Sequence, residues 1–260
     1  MLKNIKSNVI LNLIFKHLKN KRKLKLLKHN QNMLYRLKIT KENFKFFEKL
    51  KEFNRIYHLY IDDIDNKVIN LTGKFLNDER LKYLGNIEFK ELIKLNLNEN
   101  EMISNINILS ELNFQKLQEL DLSGNNISNI NVLEKVNFKE LKKLYLNRNI
   151  ISNINVFQNV NFKDLKVLGL NCNKISDINV LEKVNFPELE ELNLSNNNIK
   201  IITVLEKVDF KELKVLKLNK NNISDIDVLE KVQFYKLNTL LLGYNKKFNL
   251  DILQKLKNKV

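Results

Sequence analysis

One phrase is written five times between Phe114 and Val232, and its spacing restricts the possible folds more than any other feature of the chain. The copy at Phe138 runs Phe138-Lys139-Glu140-Leu141-Lys142-Lys143-Leu144-Tyr145-Leu146-Asn147-Arg148-Asn149, then Ile151-Ser152-Asn153-Ile154-Asn155-Val156. It restarts at Phe162, Phe186 and Phe210, and the three intervals (162−138, 186−162 and 210−186) are identical. Less regular copies start at Phe89, where the interval to Phe114 is longer by one position, and at Phe234. A fixed period in this range signals a solenoid, in which each unit covers its apolar side only by stacking on the next.

Within a unit the apolar positions follow two periods. Leu144 and Leu146 alternate with Tyr145, which is strand spacing, whereas Ile151, Ile154, Val156 and Phe157 belong to a return path with inward-pointing residues. Stacked coils of this kind place their strands side by side at about 4.8 Å in a parallel sheet. Past the second strand leucine an asparagine recurs as Asn100, Asn125, Asn149, Asn173, Asn197, Asn221 and Asn245. The backbone turns away from the sheet there, and a buried peptide group without a partner costs roughly 1–3 kcal/mol. Asparagine carries an acceptor and two donors and can bridge successive coils, so the column is read as a structural ladder. The phenylalanines at 89, 114, 138, 162, 186, 210 and 234 form a second column, read as a packed spine on the convex side.

The pattern Leu-x-x-Leu-x-Leu-x-x-Asn-x-Ile-x-x-Ile resembles the leucine-rich repeat. Its second isoleucine, as in Ile127…Ile130 and Ile223…Ile226, resembles the short-repeat subclass of internalins and of the regulatory leucine-rich protein of type-1 phosphatase. The resemblance covers residues 53–245. It implies an α/β fold: a right-handed solenoid with a concave parallel β-sheet, short helical or 3-10 convex segments, a helical N-terminal cap, and a protein-binding function. The repeat is longer than is usual in this subclass, with the extra residues in Val-Asn-Phe, which bears on the geometry of the convex side.

Residues 1–52 lie outside the repeat and are expected to form a helical N-terminal cap over the first coil. Within them Ile14-Phe15-Lys16-His17-Leu18, followed by Leu24…Leu27, resembles an F-box, although that family's Leu-Pro opening and late Trp are absent. That resemblance implies an alternative role as a substrate receptor, with residues 1–52 holding the Skp-type adaptor of a cullin ubiquitin ligase. Residues 53–88 read as a degenerate first coil in which Phe53, Ile56, Leu59 and Ile61 fit the phrase, with an inserted helix through Phe75–Leu84. After the solenoid, Phe248, Leu250, Ile252, Leu253 and Leu256 have the spacing of a C-terminal capping helix over 246–260.

The formal charge of +15 is uneven. Residues 1–52 hold 15 Lys and Arg against 3 acids, a net of +12, which leaves +3 for residues 53–260. The N-terminal segment could meet nucleic acid or an anionic membrane, but Glu119, Asp121 and Glu191 interrupt any basic stripe on the solenoid and argue against nucleic acid there. The apolar run Val9–Phe15 lacks a following small-residue cleavage site, and no run reaches the ~20 apolar residues of a membrane span. A single cysteine, Cys172, excludes an internal disulfide and points to an intracellular, cytoplasmic location.

Chemistry is scarce. His17, His29 and His58 share no ligand spacing with Cys172, no glycine-rich loop could cradle phosphate, and no serine sits in a nucleophile elbow. Glu134, Glu182, Glu206 and Glu230 recur beside Lys135, Lys183, Lys207 and Lys231 as a solvated convex surface. No catalytic residue, metal site or cofactor is expected, and the chain reads as a non-enzymatic scaffold. The candidate binding surface is the concave sheet, where residues flanking the strand leucines point outward. One column reads His58, Lys94, Glu119, Lys143, Val167, Glu191, Val215, Thr239, and the next Tyr60, Asn96, Asp121, Tyr145, Gly169, Asn193, Lys217, Leu241. These positions vary while the frame repeats. Lys143, Tyr145 and Arg148 form the leading patch for a protein or peptide partner, with Asp121, Glu119, Glu191, Asn193 and Lys217 beside them.

Overall fold

Each Leu-x-Leu of the repeat centres on a three-residue strand. In the computed structural model, which describes residues 68–70, 76–86 and 92–248, the strands are β1 (Val68–Asn70), β2 (Lys94–Asn96), β3 (Glu119–Asp121), β4 (Lys143–Tyr145), β5 (Val167–Gly169), β6 (Glu191–Asn193), β7 (Val215–Lys217) and β8 (Thr239–Leu241). They form one open parallel sheet in chain order. The register sets like beside like: Leu120 pairs with Leu144, Leu144 with Leu168, Leu168 with Leu192 and Leu192 with Leu216. Since side chains alternate across a strand, the central leucines all face inward and their two neighbours all face out. In the coil of β4, Leu141, Leu144, Leu146, Ile151, Ile154, Val156 and Phe157 are each at most 5% exposed. Full burial of such a side chain stabilises by about 1.5–3 kcal/mol, so the solenoid core is continuous from rung to rung.

The return path is made of 3-10 turns: Asn107–Ser110, Asn131–Glu134, Asn155–Gln158, Asn179–Lys183, Thr203–Glu206 and Asp227–Glu230. An Asn or Asp two residues before the first turn residue shapes the entry. The Oδ1 atoms of Asn105, Asn129, Asn153, Asp177 and Asp225 accept from the backbone N–H groups of Asn107, Asn131, Asn155, Asn179 and Asp227 at 2.8–2.9 Å. At the turn Thr203–Glu206 this place is held by Ile201, which is 66% exposed. On the outer surface Lys207 pairs with Glu182 at 3.5 Å and Lys231 with Glu206 at 3.9 Å, exposed pairs of small energetic weight. The phenylalanine column is buried from Phe114 to Phe234. Its stacking is interrupted. Phe114 stacks on Phe138 at 6.0 Å and Phe210 on Phe234 at 6.5 Å, whereas Phe157 from the return path meets Phe186 edge-on.

The asparagine ladder stitches the coils. Asn149 donates through Nδ2 to the carbonyls of Leu122 (2.9 Å) and Leu146 (3.1 Å), and its Oδ1 accepts from the Ile127 N–H (3.0 Å). Asn173, Asn197, Asn221 and Asn245 repeat this one coil at a time, accepting from Ile151, Ile175, Ile199 and Ile223. Asn100 accepts from the Leu76 N–H at 3.0 Å. Asn125 breaks the rule: its Oδ1 is buried without a hydrogen-bond partner. Its coil neighbour carries one extra residue between Asn100 and Ile103, which accounts for the longer interval from Phe89 to Phe114. The Ile103 N–H therefore bonds the Asn100 carbonyl at 2.8 Å instead of reaching Asn125, and Met102 is left 59% exposed.

The first coil corrects the sequence reading. The strand beside β2 is Val68–Asn70, with Val68 opposite Lys94 and Asn70 opposite Asn96. Val68 and Asn70, not His58 and Tyr60, are therefore the strand partners of Lys94 and Asn96. The interval between these strands (94−68) is close to the standard period, not the longer one expected from Phe53 to Phe89. The helix expected through 75–84 exists as α1 (Asp78–Lys82), running into a 3-10 turn at Tyr83–Asn86, but it is the return path of this coil. Asp78 fastens it to the next coil, accepting from the Ser104 hydroxyl (2.6 Å) and from the Ser104 and Asn105 N–H groups (2.8 and 2.9 Å). Burial acts to raise the pKa of Asp78, but these hydrogen bonds outweigh it and hold the carboxyl below its ordinary value. The N-terminal cap or F-box-like segment expected at 1–52, residues 53–67 of the expected first coil, and all but 246–248 of the capping helix expected over 246–260 lie outside the described residues.

Asn173→Ala leaves the Ile151 N–H without its acceptor and takes one of two ladder donors from the carbonyls of Leu146 and Leu170. It is expected to cost about 1–3 kcal/mol in chemical unfolding, against less than about 1 kcal/mol for the outward Asn171→Ala, and equal losses contradict the ladder. Ile201→Asn supplies the missing turn acceptor and is expected to stabilise by about 1 kcal/mol, raising the thermal midpoint by about 2–4 °C. A fall in the midpoint would show that Ile201 supports the fold.

Candidate functional site

The outward positions of β2 to β8 form a face whose composition changes from rung to rung while the leucines beneath do not. Charge on it is paired between neighbouring rungs. Lys94 lies 2.5 Å from Glu119, Lys143 lies 4.0 Å from the same carboxylate, and Lys217 lies 2.6 Å from Glu191. Tyr145 stands between the two acidic groups and is half-buried. Burial, then the charges of Glu119, Glu191 and Asp121, raise its pKa, so the phenol is neutral at physiological pH and keeps its donor proton.

Past the strands a second polar column joins the rungs. Asn147 Nδ2 donates to the Ser123 hydroxyl at 3.2 Å, the Asn171 N–H donates to Asn147 Oδ1 at 3.1 Å, and Asn193 Nδ2 donates to Asn171 Oδ1 at 3.3 Å. Gly169 makes room for this. A Cβ there would lie 2.7 Å from Asn147 Oδ1, so the bare strand position lets the Asn147 side chain lean across the rung. The result is a recess of about 310 Å³ lined by Asn98, Glu99, Asp121, Ser123, Gly124, Tyr145, Asn147, Arg148 and Asn171.

The residues singled out in the sequence separate into two groups. Asp121, Tyr145 and Arg148 share the recess. Lys143 borders Glu119 instead, while Glu191, Asn193 and Lys217 form a polar cluster two and three rungs further on, with Asn193 also receiving the Ser195 hydroxyl. Arg148 is not on a strand. It occupies a turn with φ of 52°, exposed at the rim. Sequence reasoning missed Glu99 and Gly124. The available signal was the position before each ladder asparagine, where Gly124 and Asn196 mark a left-handed backbone.

On the flank before the strands, Glu190 bridges Lys166 (2.8 Å) and Lys214 (2.6 Å) across three coils. Its hydrogen bonds to Lys166 and then Lys214 lower its pKa to about 2. Among the described residues no group of three or more His, Cys, Asp or Glu could hold a metal ion, and no helix is long and apolar enough to cross a membrane.

A face of this geometry belongs to a known class. The sequence matches the family model "Leucine Rich repeats (2 copies)" over residues 115–159 and 187–231, and "Leucine rich repeat" over 139–199. The fold is similar to an internalin (inlF) from Listeria monocytogenes, at 27% identity and a TM-score of 0.57 over 70% of this chain and 48% of that one. It is also similar to internalin C2 from the same organism, at 26% identity and 0.57 over 74% of this chain and 77% of that one. A third likeness is to the TLR13–ssRNA13 complex, at 30% identity and 0.50 over 67% of this chain and 24% of that chain. The chain thus spans about half the length of the first internalin and a quarter of the TLR13 chain. A search of curated proteins gives no match. Residues 115–231 are thus leucine-rich repeats, and the described strands form one open parallel sheet with 3-10 return turns, a fold similar to that of the internalins.

The lowered pKa of Glu190 yields a signed prediction. A depressed carboxylate contributes stability that is present above its unfolded value near 4.5 and is lost as pH falls through about 2. The stability difference between the native chain and Glu190→Gln is therefore expected to be constant at pH 6–7 and to shrink to nothing by about pH 2. A difference that persists unchanged at the acid end rules out the Lys166–Glu190–Lys214 bridge as its source.

Proposed function

We propose that this chain is a non-enzymatic protein-interaction module that takes a protein or peptide partner on the outward face of β2–β8. The leucine-rich repeats of residues 115–231 support the class. One observation carries the choice of surface: Tyr145 and Arg148, residue types that anchor interfaces, share a recess on a face whose other side chains vary freely. The buried leucines and the ladder fix the backbone of that face before any partner arrives, which lowers the ordering cost of binding.

An RNA partner, as in the TLR13–ssRNA13 structure, fits this face less well. Glu119 and Asp121 on β3 and Glu191 on β6 interrupt the lysines at 94, 143 and 217, so a regularly charged phosphate backbone would meet repulsion at both of those rungs. Cys172 is a free thiol, consistent with a reducing intracellular compartment. The adaptor-binding alternative concerns residues 1–52 alone and leaves the face with the same task, that of holding a target.

Affinity purification with mass spectrometry, run with the intact chain and with Lys143→Ala/Tyr145→Ala/Arg148→Ala, tests the reading. Partners recovered by the intact chain are expected to be lost at least tenfold by the triple variant, whose fold is checked by circular dichroism. Unchanged recovery removes the face from the account. Recovery of a Skp-type adaptor and a cullin, abolished by deleting 1–52, establishes the adaptor role.

A further inference from the structure

The column that follows the strands holds side chains its own backbone disfavours. Glu99, Arg148, Cys172, Asn196, Lys220 and Tyr244 all have φ between 52° and 59°, and Gly124 has φ of 64°. Left-handed geometry crowds a Cβ against the following carbonyl, and only Gly, with Asn next, occupies it readily. Gly124 and Asn196 are the residues this backbone prefers. The other five weaken the solenoid, and Glu99, Arg148, Lys220 and Tyr244 are exposed. Strain retained in a repeated frame, where Gly would serve in every coil, points to a demand from outside the chain.

The cations of this column differ from those on the strands. Lys94 and Lys143 share Glu119, and Lys217 pairs with Glu191. Among the described residues the Arg148 guanidinium has no ion-pair or hydrogen-bond partner, and the Lys220 ammonium meets only the ring of Tyr244, at 5.6 Å. The two lie three coils apart, about 14 Å at ~4.8 Å per coil. In an extended chain rising ~3.4 Å per residue, that distance separates side chains four residues apart on one face. Resting on the interaction-module reading, we propose that the left-handed column from Arg148 to Tyr244 determines specificity, receiving an acidic extended segment of a partner protein. Carboxylates four residues apart meet Arg148 and Lys220. Arg148 offers the planar fork that binds a carboxylate through two N–H groups. A nucleic-acid strand fits poorly, because its closely spaced phosphates would also meet Cys172 and Asn196 without compensation, and Glu99 with repulsion.

The test uses the full chain and a fluorescein-labelled Gly-Ser dodecapeptide carrying two Glu four residues apart, read by anisotropy. A peptide with Lys in place of both Glu and a uridine dodecanucleotide serve as comparison probes. Arg148→Gly/Lys220→Gly is expected to raise the thermal midpoint by about 2–4 °C while weakening the Glu peptide at least tenfold. Equal binding by both proteins, or no binding by the native chain, overturns the proposal. So does a lower midpoint, which would make the two side chains structural, or binding of the uridine strand with the same dependence on Arg148 and Lys220. Lys143→Ala/Tyr145→Ala separates this inference from the reading beneath it. If that variant loses the cellular partners while Arg148→Gly/Lys220→Gly keeps them, the face binds and the column does not select; if both keep them, both readings fall.

Discussion

A parallel solenoid must satisfy backbone groups where each coil leaves its strand, and one side chain per rung does this. The ladder asparagines donate to carbonyls of their own coil and the preceding one and accept from an isoleucine N–H at the start of the neighbouring return path. Both ends of the amide are required, which is why aspartate, with no donor, could not replace it. These bonds hold adjacent rungs in register, and the register places every strand leucine beneath the next. Hydrophobic burial supplies the bulk of the stabilisation, but it is non-directional and would tolerate a slip; the amide would not.

A frame defined so locally leaves the outward side chains free. Nothing in the core depends on whether position 143 is Lys or position 145 is Tyr, since both flank the buried Leu144. The frame also sets costs. The rim turn demands left-handed backbone in every coil, and chain segments that keep Arg, Lys or Tyr there oppose the local preference. The two demands fall on opposite sides of the same rung: the leucines and the ladder asparagine face the core, the strand flanks and rim residue face out.

Much of this is legible in the sequence because the repeat converts three-dimensional neighbours into fixed intervals. Glu119, Lys143 and Glu191 lie in one outward column because whole repeat periods separate them, and the structure keeps them so. The first coil misleads for the reverse reason. Val68-Ile69-Asn70 lacks the leucine pair and the ladder asparagine that identify a rung, and the better-looking Leu59 and Ile61 draw the assignment to an earlier segment. Two features could not be read at all. The recess depends on Asn147 leaning over Gly169, a contact between rungs that neither residue announces. The orphaned Oδ1 of Asn125 follows from one extra residue in the coil before it, visible as a lengthened interval but not as a lost bond.

Amide hydrogen exchange followed by NMR addresses the ladder most directly, because five of its acceptors bond isoleucine N–H groups. The amides of Ile127, Ile151, Ile175, Ile199 and Ile223 are expected to exchange only at the rate of cooperative opening of the solenoid, as slowly as the strand leucines. Exchange of these five at the rate of exposed loop amides, with the strand leucines still protected, would contradict the cross-coil bonding on which the fold and its outward face rest.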